Sequence, residues 1–220
     1  MSMTRSLAAE ALGTLFLVTT VVGSGIMGET LAAGNTAVAL LANAIATGVM
    51  LVVLIMMFGP VSGAHFNPAV TVAMMFRGDC ETKTGVLYII VQIVFGIMGT
   101  LLAHLMFDLE LVQWGTHART GLGQWVGEVV ATFALIFTIL ACLAHRPEAV
   151  PYAVGLVITG GYWYTSSTSF ANPAVTIARL FTDTFASIRP QDVPVFVLIQ
   201  IAMGIVTVIF ANWIFRKVKD

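Results

Sequence analysis

The chain has 220 residues, 58% of them hydrophobic and only 10% charged, with a mean hydropathy of +0.95 and a formal net charge of −1. Soluble domains carry roughly 25% charged residues, so this composition reads as a chain solvated by lipid. It excludes a nucleic-acid binder, which needs a basic field that this charge balance cannot supply.

Spanning a bilayer takes about 20 apolar residues in a helix. Runs of the right kind lie at 6–27, 36–58, 84–107, 121–143, 150–167 and 192–216, the fifth being the shortest. The first begins in MSMTRSLAAEALGTLFLVTTVVG, which has some features of a secretory leader. With no clear cleavage site and an apolar run continuing to Met27, it reads as a retained first helix. Between the second and third runs, SGAHFNPAVTVAMMF carries Asn67-Pro68-Ala69; between the fifth and sixth, STSFANPAVTIARLF carries Asn172-Pro173-Ala174. Each tripeptide opens an apolar segment too short to cross. Asn suits a helix N-cap, and Pro suits the first turn, where its missing N–H costs nothing.

The order span, span, half, span therefore occurs twice. Three crossings per half send the second half into the membrane in the opposite sense. The predicted fold is an all-α membrane protein with six transmembrane helices and two re-entrant half-helices in an inverted repeat. It forms a single channel domain over residues 1–220, with a first repeat at 6–116 and a second at 121–216. Internal similarity agrees: AAEALGTLFLV in the first span resembles VGEVVATFALIF in the fourth, with Glu10 and Glu128 in matching places.

If both termini are cytoplasmic, that side carries Arg5, Arg77, Lys83, Arg146, Arg216, Lys217 and Lys219, against Arg119, Arg179 and Arg189 on the other. This excess orients the protein with both ends in the cytoplasm of a cell inner membrane. Cys80 and Cys142 fall on the cytoplasmic side and are expected as free thiols. HRPEAVP and IRPQDVP read as loops. Gly96, Gly99, Gly127, Gly155 and Gly204 mark close helix contacts. Met56, Met57, Met74 and Met75 read as soft packing around the first half-helix, and Trp125 and Trp213 as interfacial anchors. His104, His117 and His145 are scattered and make no ligand set, so no metal or cofactor is expected.

A half-helix that begins near the midplane points its free N–H groups and about half a positive charge at the pore. Two such ends meeting there repel cations. The Asn67 and Asn172 amides can donate to a passing oxygen, and a water that spends its lone pairs on them breaks a proton wire.

SGAHFNPAVT (Ser62–Thr71), NPAVTIA (Asn172–Ala178) and the acids Glu10 and Glu128 resemble the major intrinsic protein family, the aquaporins and glycerol facilitators. The resemblance covers nearly the whole chain. It implies an hourglass fold, one pore per subunit and a homotetramer. It places His65 in the inner vestibule and gives Glu10 and Glu128 the task of accepting hydrogen bonds from the re-entrant loops. The residue after the second tripeptide is normally arginine in this family; here it is Val175. Counting from the motifs, the other filter positions fall on Thr47, on Gly160 or Tyr162, and on Ser169. That ring is uncharged and wide. Arg179 lies about 6 Å further along the half-helix and is expected to anchor the outer vestibule rather than restore the constriction. The context is similar to bacterial channels associated with arsenic resistance. The implied solutes are water, glycerol and arsenous acid or methylated arsenicals. Ser169 stands where mercury-sensitive relatives carry Cys, so mercurials should not block there.

The alternatives are a general aquaglyceroporin without an arsenic role and a secondary transporter, since inverted repeats with broken helices also build carriers. A carrier needs unpaired midplane acids or bases, and only Glu10 and Glu128 are candidates. An enzyme is not expected, because no nucleophile–base set or metal-ligand cluster is present.

Overall fold

A computed structural model of the protein describes residues 2–215 and contains no strand among them. Arg216, Lys217 and Lys219, counted above for orientation, lie outside the described residues. Eight α-helices follow in order: α1 (Met3–Leu31), α2 (Thr36–Ser62), α3 (Pro68–Arg77), α4 (Thr82–Met106), α5 (Leu122–His145), α6 (Val150–Tyr164), α7 (Pro173–Ala178) and α8 (Val193–Ile214). α1, α2, α4, α5 and α8 are long and apolar enough to cross a membrane. Their outer faces expose Leu31, Leu198 and Ile209, and α6 exposes Leu156, the surface expected of a protein wrapped in lipid.

The fifth crossing is shorter than its sequence run suggests. α6 stops at Tyr164 rather than at 167. The Thr165 hydroxyl turns back onto the Gly161 carbonyl, and from there the chain heads inward to Asn172. A helix of this length rises about 22 Å; a single 3-10 turn at Pro147–Ala149 extends it.

Backbone chemistry sets the other boundaries. The Asn35 side chain accepts from the Ala37 and Val38 amides at the start of α2, and Gly63, at φ 89°, ends it. The half-helix α3 begins on the Asn67 cap and ends at Gly78, also at φ 89°. Only glycine adopts that conformation without strain.

Glycine also sets how closely the helices cross. A Cβ at Gly48 would come within 2.7 Å of the Gly155 carbonyl oxygen, and one at Gly155 within 2.6 Å of the Gly48 carbonyl oxygen. α2 and α6 thus touch backbone to backbone. Gly99 of α4 meets the Leu15 carbonyl of α1 in the same way. Two further contacts are exchanged between the halves of the chain. Gly96 of α4 faces the Ala174 carbonyl of the second half-helix, and Gly204 of α8 faces the Ala69 carbonyl of the first. One expectation fails here. Met74 is buried and Met75 packs at Gly85, but Met56 and Met57 are exposed on the outer face of α2, away from α3.

Candidate functional site

The two half-helices meet tip to tip. Asn67 Oδ1 accepts from the Ala69 amide at 2.8 Å, and Asn172 Oδ1 accepts from the Ala174 amide at 2.9 Å. Such caps are worth about 1 kcal/mol each. Pro68 and Pro173 occupy the first helical positions, as the sequence predicts. The amide nitrogens do something the sequence did not reveal. Asn67 Nδ2 donates to the Ala171 carbonyl at 2.7 Å, and Asn172 Nδ2 donates to the Phe66 carbonyl at 2.9 Å. Each half-helix tip is latched to the loop of the other. One N–H of each amide is spent on the latch, which leaves one for a solute in the pore.

The loops leading into the tips follow one path twice. Residues three and one before each Asn adopt left-handed backbone: Ala64 at φ 52° and Phe66 at φ 49°, Ser169 at φ 53° and Ala171 at φ 45°. Non-glycine residues are strained there, so something must hold them. Glu10 and Glu128 do. Glu10 accepts from the His65 and Phe66 amides at 2.9 and 2.7 Å, and Glu128 from the Phe170 and Ala171 amides at 3.0 and 2.9 Å. Gln92 donates to Glu10 and to Thr71, and Gln200 to Glu128 and to Thr176. These buried sets satisfy backbone that lipid could not. The two glutamines were missed from sequence, although Gln92 is the lone amide of α4 and Gln200 is one of two in α8.

A cavity of about 350 Å³ runs past both tips. At one end it reaches Asp79 and Leu143, on the face where α1 begins and α8 ends; at the other it reaches Arg179. His65 lines the first end, its Nδ1 3.1 Å from Thr71 Oγ1 and its ring edge-on to Tyr88 at 5.4 Å. Thr47, Tyr162, Ser169 and Val175 line the second. Thr47 Oγ1 and Tyr162 Oη are 3.2 Å apart, so these two hydroxyls close one side of the ring. Gly160 is not part of it. The inward stripe of α6 is Val154, Gly155, Ile158, Gly161 and Tyr162, and Gly160 falls off that helical period. Of the two residues left open by counting, Tyr162 is the one on the wall.

Above this ring opens a vestibule of about 780 Å³. The segment between α4 and α5 builds one side of it and runs along residues 179–189. Gly115 donates to the Leu180 carbonyl at 2.9 Å, and Arg189 donates to the His117 carbonyl at 2.9 Å. This pairing delivers Arg119 to the pore head. Its Nε donates to the Ser187 carbonyl at 2.9 Å and its Nη1 to the Ser167 carbonyl at 3.3 Å. Burial lowers the Arg119 guanidinium to about 10, still charged at neutral pH. Burial, then Arg119 and Arg179, push His117 below the ordinary histidine value. Arg179 is 2% exposed and donates from Nε to the Ala186 carbonyl. It lines both the vestibule and the pore cavity, so it stands nearer the throat than the sequence suggested. Both guanidinium carbons lie over the Phe170 ring, at 4.7 Å for Arg119 and 3.5 Å for Arg179.

Comparison with known proteins gives one consistent picture. The family profile described as Major intrinsic protein matches residues 1–160. The aquaglyceroporin AqpS of Rhizobium meliloti (strain 1021) is 49% identical over 217 residues, covering 99% of this chain and 93% of its own. A probable aquaporin, TIP2-2, from Oryza sativa subsp. japonica is 30% identical, covering 83% of this chain and 76% of its own. The X-ray structure of the aquaglyceroporin from Plasmodium falciparum superposes with a TM-score of 0.77 at 20% identity, over 98% of this chain and 97% of that one.

Proposed function

The chain belongs to the major intrinsic protein family, and from that premise we propose a passive channel whose uncharged filter admits solutes larger than water. The coarse function is that of the family: a multi-pass membrane channel for water and small solutes, and not an enzyme. The finer reading assigns the filter to Thr47, Tyr162, Ser169 and Val175, and the midplane barrier to Asn67-Pro68-Ala69 and Asn172-Pro173-Ala174. Glycerol and trivalent arsenicals are the solutes. Arsenous acid at neutral pH is an uncharged trihydroxy species of glycerol size, and it can exchange its hydrogen bonds with the ring hydroxyls. The observation that carries this reading is Val175 in the wall of the cavity beside three hydroxyl side chains. A guanidinium there would supply up to five donors and a fixed charge. The repeats are taken as 6–116 and 121–216, and the protein as a homotetramer in the inner membrane with both termini cytoplasmic.

The test is Val175→Arg in proteoliposomes. The variant should lose glycerol and arsenite flux by about tenfold or more while water flux falls less, since the added side chain narrows the ring. Equal passage of the larger solutes would show that the filter lies elsewhere. Glycerol flux without arsenite flux in the unmodified protein would reduce the reading to a general aquaglyceroporin.

A further inference from the structure

Three residues after each Asn stands a valine, Val70 in the first half and Val175 in the second. Four residues on, along the same helix face, stand Met74 and Arg179. All four line the pore cavity. The two half-helices thus share their first pore-facing position and differ in the next, apolar in one and cationic in the other.

The cation is not neutralised. Among the described residues, neither Arg179 nor Arg119 has a carboxylate oxygen within salt-bridge distance; the pairs are Arg77–Asp79 and Arg189–Asp192. Of the vestibule's acids, Glu29 and Asp183, the latter is engaged by the Thr116 amide and hydroxyl at 2.9 and 2.8 Å. Asp192 accepts from the Arg119 backbone amide, not from its guanidinium. A buried charge without a counter-ion is expensive and marks a functional position. The Phe170 ring and the carbonyls of Ala186, Ser187 and Ser167 hold the two guanidinium groups in place. They leave Nη1 and Nη2 of Arg179 without a protein acceptor among the described residues, at the junction of pore and vestibule.

We propose that Arg179, backed by Arg119 and shelved on Phe170, is a guanidinium collar that forms an outer barrier to cations, in series with the one at the half-helix tips. It excludes cations one helical turn outside the valine position and offers N–H donors to the oxygens of arriving neutral solutes. The wide ring and the charge barrier are thereby separated along the pore. This rests on the channel reading above.

Urea and guanidinium are nearly isosteric and differ in charge, so their relative flux through proteoliposomes reads the collar directly, with glycerol flux as the control for an open pore. Arg179→Met copies the first half-helix, and Arg179→Lys keeps the charge. The unmodified protein should pass glycerol and urea and exclude guanidinium. Arg179→Met should still conduct glycerol, at a rate changed by the lost donors, and raise the guanidinium-to-urea ratio by about tenfold to a hundredfold, the upper figure being the size expected for losing a unit charge roughly 6 Å from the passing ion at an effective dielectric near 20. Arg179→Lys should restore exclusion. An Arg179→Met channel that conducts glycerol and still excludes guanidinium as the parent does would overturn the collar and leave the channel intact. No glycerol flux in the parent would overturn the channel, and the collar with it. If Arg179→Met does not fold, Arg119→Gln should raise the ratio about threefold, and an unchanged ratio there would overturn the proposal.

Discussion

The two half-helices are built alike at their tips and differently at their far ends. At the midplane each has an Asn cap, a Pro at the first turn, three loop residues of positive φ (Gly63, Ala64 and Phe66 against Thr168, Ser169 and Ala171), a buried Glu and Gln, and a Thr four residues after the Asn. Away from it, α3 runs ten residues to a glycine cap and leaves Met74 on the pore wall. α7 runs six, tightens into a 3-10 turn, and places Arg179 there instead. The symmetric part is the part that lipid burial constrains, since loop backbone at membrane depth must find partners inside the protein. The asymmetric part is free to carry selectivity.

The sharpest way to break the symmetric part is to remove a carboxylate. Glu128→Ala strands the Phe170 and Ala171 amides and the Gln200 side chain. Each buried amide donor left unsatisfied costs about 1–3 kcal/mol, and the variant should melt at much lower temperature in detergent or fail to accumulate. Glu10→Ala should do the same, because the first loop depends on it in the same way. A large effect from one acid and none from the other would show that the two halves are not held alike. Next in size, Gly155→Val forces side-chain atoms into the Gly48 backbone. Overpacking of this kind costs about 1–3 kcal/mol, visible as a lower melting temperature with residual flux.

Asn172→Asp tests the midplane itself. It keeps the cap but replaces the amide that donates to the Phe66 carbonyl with a carboxylate that cannot. With the Arg179 collar removed as well, as in Asn172→Asp combined with Arg179→Met, a negative charge at the tip should admit monovalent cations, read as current in planar bilayers. A silent variant that still passes glycerol would argue against an electrostatic barrier at the tips. The smallest expected effect is that of Thr47→Val, which deletes one hydroxyl of the ring and its contact with Tyr162. Loss of about 1 kcal/mol of hydrogen bonding should shift the glycerol-to-water flux ratio severalfold, with a fall in stability no larger than that.

Much of the symmetric part was legible in the sequence because polar residues are conspicuous in an apolar chain. The two Asn-Pro-Ala tripeptides, Glu10, Glu128 and five of the six crossings stand out for that reason, and the structure puts the acids on the loop amides. The glycines at crossings were legible for the converse reason, since an apolar helix has no other use for them. What escaped depends on distance along the chain. The latch from Asn67 to Ala171 joins residues 104 apart, and Arg119 meets Phe170 across a whole repeat half. No local period encodes either. The end of α6 escaped because a threonine is tolerated in an apolar run, and nothing local shows that the Thr165 hydroxyl caps the Gly161 carbonyl and accepts from the Ser169 amide. Met56 and Met57 were misplaced because a methionine suits a lipid-facing surface and a core equally well.

The most direct test of the pore is glycerol flux into liposomes carrying the purified protein. A continuous cavity past two latched tips predicts flux that rises linearly with the gradient, depends weakly on temperature and ignores an imposed pH or sodium gradient. Saturation at moderate glycerol together with acceleration by either ion gradient would contradict a pore and point to a carrier.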